Sequence, residues 1–274
     1  MRASVPRVEP VRTWVELAAG EFRRHSTYRL AVLAGVFTNS IFGFIRVGIL
    51  ISAITAAGGT LVGYSAADAS TYVWLGQALI APLAMMGWSE IADRVRTGDI
   101  AVDLARPVDL QLSWWARDLG RAAFVLPARG LPPLLVGALT VGVALPGSWT
   151  AYPLGVLSAL VAVSLSFMLR FVLNLAAFWV LDFRGIAGLY FVLVGPLCGL
   201  YVPVHLFPDW LRTFAYATPF PSMFQAPIDV LGGRVLGAAA VSVLAVQLAW
   251  LALLMLLGRL VLSRATRRLV VQGG

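Results

Sequence analysis

The stretch CGLYVPVHLFPDWLRTFAYATPFPSMFQAPIDVLGG, residues 198–233, lies between two long apolar runs, yet no straight membrane-spanning helix can be built from it. Pro203, Pro208, Pro219, Pro221 and Pro227 each remove a backbone donor and crowd the preceding turn. Pro208 suits the first turn of a short helix through Asp209, Trp210, Leu211 and Phe214, which Thr218-Pro219 breaks. Ser222 and Gln225 have the spacing of a capping box that opens a second short helix, distorted by Pro227 and closed by Gly232-Gly233. Short helices rich in Trp, Phe and Tyr belong at a membrane–water interface. Irregular backbone at that depth must be covered by protein or line a water-filled cavity. Residues 203–233 are therefore expected to form an outer re-entrant hairpin that caps one end of a helical bundle or an oligomer interface.

The surrounding chain fits that setting. Of 274 residues, 59% are hydrophobic and only 12% charged, and the mean hydropathy is +0.84. Soluble domains carry about 25% charged residues, so the composition reads as an all-α integral membrane protein. Apolar runs long enough to cross a bilayer fall at 30–54, 71–87, 122–145, 154–181, 185–202 and 235–262. Six spans place both termini on one side of the membrane, and arginine decides which. The net charge is +8, and all 21 basic residues are arginine. With the N-terminus inside, Arg2, Arg7, Arg12, Arg94, Arg96, Arg106, Arg117, Arg184 and Arg264 are among the inner residues, and only Arg212 and Arg234 lie outside. The expectation is a multi-pass protein of the plasma membrane with cytoplasmic N- and C-termini. Its positive charge faces anionic membrane lipid and not nucleic acid.

Residues 1–29 are too long and irregular for the n-region of a signal peptide, so the first span is expected to stay as an uncleaved anchor. Within them, Val11, Trp14, Val15, Ala18 and Phe22 make one apolar stripe, as in an amphipathic helix lying along the inner leaflet. The lone Cys198 permits no intrachain disulfide and no cysteine metal cluster, and reads as a small buried hydrophobe.

The inner segment SEIADRVRTGDIAVDLARPVDLQLSWWARDLG, 89–120, mixes both charge signs with exposed apolar residues, as a surface that docks a soluble protein does. Glu90 and Arg94 have the spacing of a helix pair, Gly98 offers a stop, and Arg106-Pro107 forces a turn.

Together these features resemble an ABC-2 type transporter permease. The run GDIAVDLARPVD at 98–109 is similar to the family's Gly-acidic-Ile…Leu-x-x-Pro pattern, and 198–229 is similar to its proline-rich outer signature ending in Pro-x-Trp-Leu…Pro. The resemblance covers nearly the whole chain. It implies that Glu90, Asp93, Arg94, Gly98, Asp99, Arg106 and Pro107 form a coupling region against separate ABC ATPase subunits. It places Pro203, Phe207, Pro208, Trp210 and Pro219 in the outer re-entrant hairpin, and it implies a second permease subunit, identical or sister. The chain itself has no lysine for a P-loop, so ATP and Mg would be bound by the partner ATPase, and no cofactor or catalytic residue is expected here. The function implied is export of an amphipathic drug, antibiotic or lipid.

Polar residues inside the spans are candidates for a translocation path: Asn39 and Arg46 in the first, Arg170 and Asn174 in the fourth. His205 reads as an interfacial hydrogen-bonding residue and not a metal ligand, and Asp182 as a structural cap at the inner turn. Two rivals belong to other classes. An intramembrane lipid or prenyl transferase would want clustered carboxylates for Mg²⁺, and the inner acids are scattered among arginines. An ion-coupled secondary transporter would want an acid at mid-membrane, and the apolar runs offer none.

Overall fold

The computed structural model describes residues 10–86, 90–180 and 183–268, and every element among them is helical apart from one isolated bridge between Leu61 and Tyr64. Arg2, Arg7 and Asp182 lie outside the described residues. In chain order the helices are α1 (Pro10–Ser26), α2 (Arg29–Ala56), α3 (Ala66–Leu83), α4 (Glu90–Thr97), α5 (Ile100–Leu104), α6 (Leu110–Val125) and α7 (Leu131–Thr140). They continue as α8 (Ala151–Asn174), α9 (Arg184–Cys198), α10 (Asp209–Tyr216), α11 (Phe220–Met223), α12 (Gln225–Leu231) and α13 (Gly237–Ala265).

Four helical stretches are long and apolar enough to cross a membrane: α2, Leu110–Thr140, Ala151–Phe178 and α13. The second joins α6 to α7 through a π-helical turn at Leu126–Gly130. That turn absorbs Pro127, whose missing N–H would otherwise break the helix. The apolar run expected to begin at 122 therefore belongs to a helix that begins at Leu110, and 110–120 are not loop. Only 17% of the apolar window of α2, and of α13, is buried, against 56% for the α8 stretch. The first two present greasy outer faces, and α8 runs through the interior.

α3 is shorter, less apolar and more deeply buried than those four stretches. Its helix starts at Ala66, five residues before the expected run, because Ser65 and Asp68 form a capping box that turns an acid into part of the helix start. Trp74 at its centre is fully buried between two glycines. A Cβ on Gly43 of α2 or on Gly137 of α7 would fall 2.4 Å and 1.9 Å from the indole ring. Phe44 closes the ring's edge, with centroids 5.1 Å apart.

The segment from 203 to 233 holds three short helices, α10 to α12, after a 3₁₀ turn at Val204–Leu206. The expected capping box does not form. Ser222 is inside α11, and the Gln225 side chain turns inward to other partners. Arg94 likewise bonds Asp103 in place of Glu90.

α1 packs along α6. Trp14 and Ala18 face the body of the protein, whereas Val11 and Val15 are largely exposed, so the apolar stripe is split between protein and surroundings. The contact depends on Gly120, where a Cβ would meet the Ala18 carbonyl oxygen at 2.0 Å. Gly120→Ala should cost about 1–3 kcal/mol of overpacking and lower the apparent Tm in detergent. Gly20→Ala, at a helical site with nothing within 4 Å, should leave it equal or higher, since alanine is better than glycine in a helix by about 0.5–1 kcal/mol. A Gly120→Ala protein as stable as its parent would show that α1 does not sit on α6.

Candidate functional site

Two polar clusters lie at opposite ends of α3. At its C-terminal end, the helix stops at Leu83 with Ala84 in the left-handed region, φ 46°. The last carbonyls of a helix have no partner of their own, and here other helices supply them. Arg121 of α6 donates to the carbonyls of Ala81 (3.1 Å) and Pro82 (2.6 Å), and the Ser166 hydroxyl of α8 donates to that of Leu83 (2.6 Å). The same Arg121 and Arg170 of α8 both donate to Oδ1 of Asp118, at 3.0 and 3.2 Å. Asp118 is buried in α6, two turns from its start. It is a buried acid within a long apolar helix, which the apolar runs did not contain because the reading began that helix at 122.

Beside this cluster, α4 and α5 form a bent pair. Gly98, at φ +85°, breaks them apart. Ile91 and Ile100, apolar residues expected to be exposed on the docking surface, are instead buried with Ala92, and Arg96, Thr97 and Asp99 are turned outward. Asp103 ties the pair together, accepting from Arg94 Nε at 2.6 Å and lying 3.7 Å from Arg106. Asn174 secures it to the bundle: its Oδ1 accepts from the backbone N–H of Ala92 at 3.0 Å, and its Nδ2 donates to the Arg170 carbonyl at 2.7 Å. The bond forms where α8 tightens into a 3₁₀ turn at Leu175–Phe178. Thus Glu90, Asp93, Arg94, Gly98, Asp99, Arg106 and Pro107 share one short structured segment, and Arg170 and Asn174 stand next to it. Asp103 was missed as a site residue, although its spacing of three from Ile100 placed it on the buried face.

At the other end, Gln225 is the hub. Its Oε1 accepts from the Val204 N–H at 2.9 Å and lies 2.9 Å from the Tyr72 hydroxyl of α3, which is also 2.6 Å from the Gly199 carbonyl. Its Nε2 donates to Asp229 Oδ1 at 2.8 Å, and the other carboxylate oxygen is 2.8 Å from His205 Nε2. Arg46 of α2 donates to the Leu200 carbonyl, so it serves this end, whereas Arg170 serves the Asp118 cluster. Asn39 is half-buried elsewhere on α2. Pro203 is buried beside the hub, Phe207 packs with Val204 and Ala215, and Pro208 and Trp210 are exposed. Pro219 directly precedes α11. Burial pushes the Tyr216 hydroxyl up to about 12 and that of Tyr64 well above its ordinary value, the charge of Asp229 adding to both. Both stay neutral at physiological pH. Arg234 stacks over Tyr64 at 4.0 Å.

These features define the chain as a helical membrane protein with a hydrogen-bonded polar cluster at each end of α3. A family profile described as ABC-2 family transporter protein matches residues 44–273, and the chain belongs to that family. No curated protein matches it. Among the described residues, no group of three or more His, Cys, Asp and Glu side chains is arranged to hold a metal ion.

Asp103→Asn removes the charge that holds Arg94 and Arg106. The expected cost is about 1–2 kcal/mol, read as roughly 5- to 30-fold faster trypsin cleavage after Arg94 and Arg96. Asp99→Asn, whose carboxylate accepts from Thr97 on the exposed side, should change cleavage little. Equal rates in the two variants would count against Asp103 as the tie.

Proposed function

We propose that the chain is the permease subunit of an ATP-driven ABC-2 transporter in a cell membrane, crossing it six times. The crossings are α2, α3, α6 with α7, α8, α9 and α13, with both termini cytoplasmic and the short helices α10 to α12 forming an outer re-entrant hairpin. The cargo we favour is an amphipathic drug, antibiotic or lipid, moved outward between two permease subunits, identical or sister.

One observation carries the reading: α4 and α5 present Arg96, Thr97 and Asp99 outward while Asn174 fastens their inner face to α8. A force applied to that exposed face reaches the interior helix directly. Separate ATPase subunits, binding ATP and Mg, would apply it, and the permease pair would exchange inward-open and outward-open states of different affinity for cargo. Arg170 and Asn174, one turn apart on α8, would lie along the inner part of the path, with Arg46 and Asn39 nearer its other parts. Buried acids lend little to an ion-coupled alternative, since Asp118 is already committed to two guanidinium groups.

The test is a pull-down from native membranes with this chain as bait, followed by ATPase assay. The expected result is co-purification of an ATPase subunit whose activity responds to cargo in the parent complex. That response should fall about tenfold with Asp99→Ala and Arg106→Ala combined, as for loss of charge-assisted contacts at an interface. Absence of any ATPase under mild detergent, or a response unchanged in the double variant, would overturn the reading.

A further inference from the structure

A cavity of about 330 Å³ opens between α1, α4, α6 and α8. Four arginines line it, Arg24, Arg117, Arg121 and Arg170, beside the carboxylates of Glu21, Glu90 and Asp118. Most of these charges are already matched. Arg121 and Arg170 share Asp118, and Arg24 lies 3.3 Å from Glu21. Arg117 is different. Among the described residues it has no carboxylate within ion-pair distance, and its guanidinium stacks on the Trp114 ring at 5.1 Å. Arg170 is also incompletely satisfied, because its Nε is buried without an acceptor. A buried donor left unmatched costs about 1–3 kcal/mol, more when charged. Phe167, Phe171 and Trp114 supply apolar wall on the same cavity.

We infer that this cavity binds the phosphate of an anionic amphiphile. A phosphate has enough oxygens to accept from Arg117 and Arg170 together, and the guanidinium fork matches its geometry better than an ammonium would. The aromatic wall takes the apolar part next to the headgroup. The volume exceeds what a carboxylate or halide fills and is of the size of small-molecule sites. The cavity is lined by Glu21, Arg24 and His25 at the C-terminal end of α1, the helix whose Val11 and Val15 are exposed apolar residues, and by Glu90 and Ile91 of α4. That is the depth at which headgroups lie if α1 rests in the interface. The inference requires no ATPase and no transport, so it stands or falls separately from the proposed function.

The experiment is native mass spectrometry of the purified chain in micelles doped either with phosphatidylglycerol or with an uncharged glycosyl diacylglycerol of the same acyl chains. The parent should retain phosphatidylglycerol about tenfold better than the glycolipid. Arg117→Gln should lose most of that preference, Arg117→Lys should keep part of it, and Arg212→Gln, at the opposite end of the molecule, should match the parent. Displacement by millimolar inorganic phosphate would assign the site to a soluble phosphate, and resistance to it would assign the site to the lipid. Equal retention of the two lipids by the parent, or full preference in a folded Arg117→Gln protein, would overturn the inference. Folding is checked independently by an unchanged apparent Tm.

Discussion

The rest of the molecule is arranged around the burial of α3. An 18-residue helix is about 27 Å long; its C-terminal end falls inside the protein and its start, at Ala66 and Ala67, near the surface, and the backbone runs out of intrahelical partners at both. In an apolar setting each unsatisfied carbonyl or N–H costs several kcal/mol. The two polar clusters are the solution to that constraint. At one end, Arg121 and Ser166 satisfy three carbonyls. At the other, the Ser65–Asp68 capping box closes the helix start, and Tyr72, one turn further in, carries the Gln225 network that holds the short helices down.

α8 connects what α3 separates. Ser158, near its start, bonds Gln247 of α13, and Gln247 in turn donates to the Ser222 carbonyl of α11. Two turns later Ser166 caps α3, then Arg170 meets Asp118 and Asn174 holds α4. One buried helix therefore touches both ends of the molecule through directional bonds. Such bonds in a low-dielectric interior are strong and costly to leave unmade. Asn174 thus holds α4 to α8 through a directional bond and not through a loose side-chain contact.

Much of this was legible in the sequence. The apolar runs identified a polytopic membrane protein, Gly98 marked the break between α4 and α5, and the prolines of 203–227 ruled out a straight helix there. The errors share a physical cause. Hydropathy treats a polar residue as outside, whereas Asp118 and Gln225 are buried, Asp68 is half-buried, and all three are paired. Asp68 lengthens α3 backward, and Asp118 hid the first part of α6. Gln225, spaced from Ser222 as in a capping box, spends its amide on two distant partners, Tyr72 and Val204, and on Asp229 one turn along its own helix. The π-helical turn that carries Pro127 through a continuous helix has no sequence signal separate from a break. Arg46 and Arg170 looked alike as intramembrane cations, yet one serves Leu200 and the other Asp118, a difference that only tertiary contacts decide.

In the proposed topology the two clusters face opposite sides of the membrane. Cys198 is fully buried, so the parent provides a quiet background for labelling single cysteines placed at Thr97 and at Asp209, both exposed. An impermeant maleimide applied to intact cells should label the Asp209→Cys protein at once and the Thr97→Cys protein only after the membrane is permeabilised. Labelling of both from outside, of neither before permeabilisation, or in the reverse order would overturn that topology.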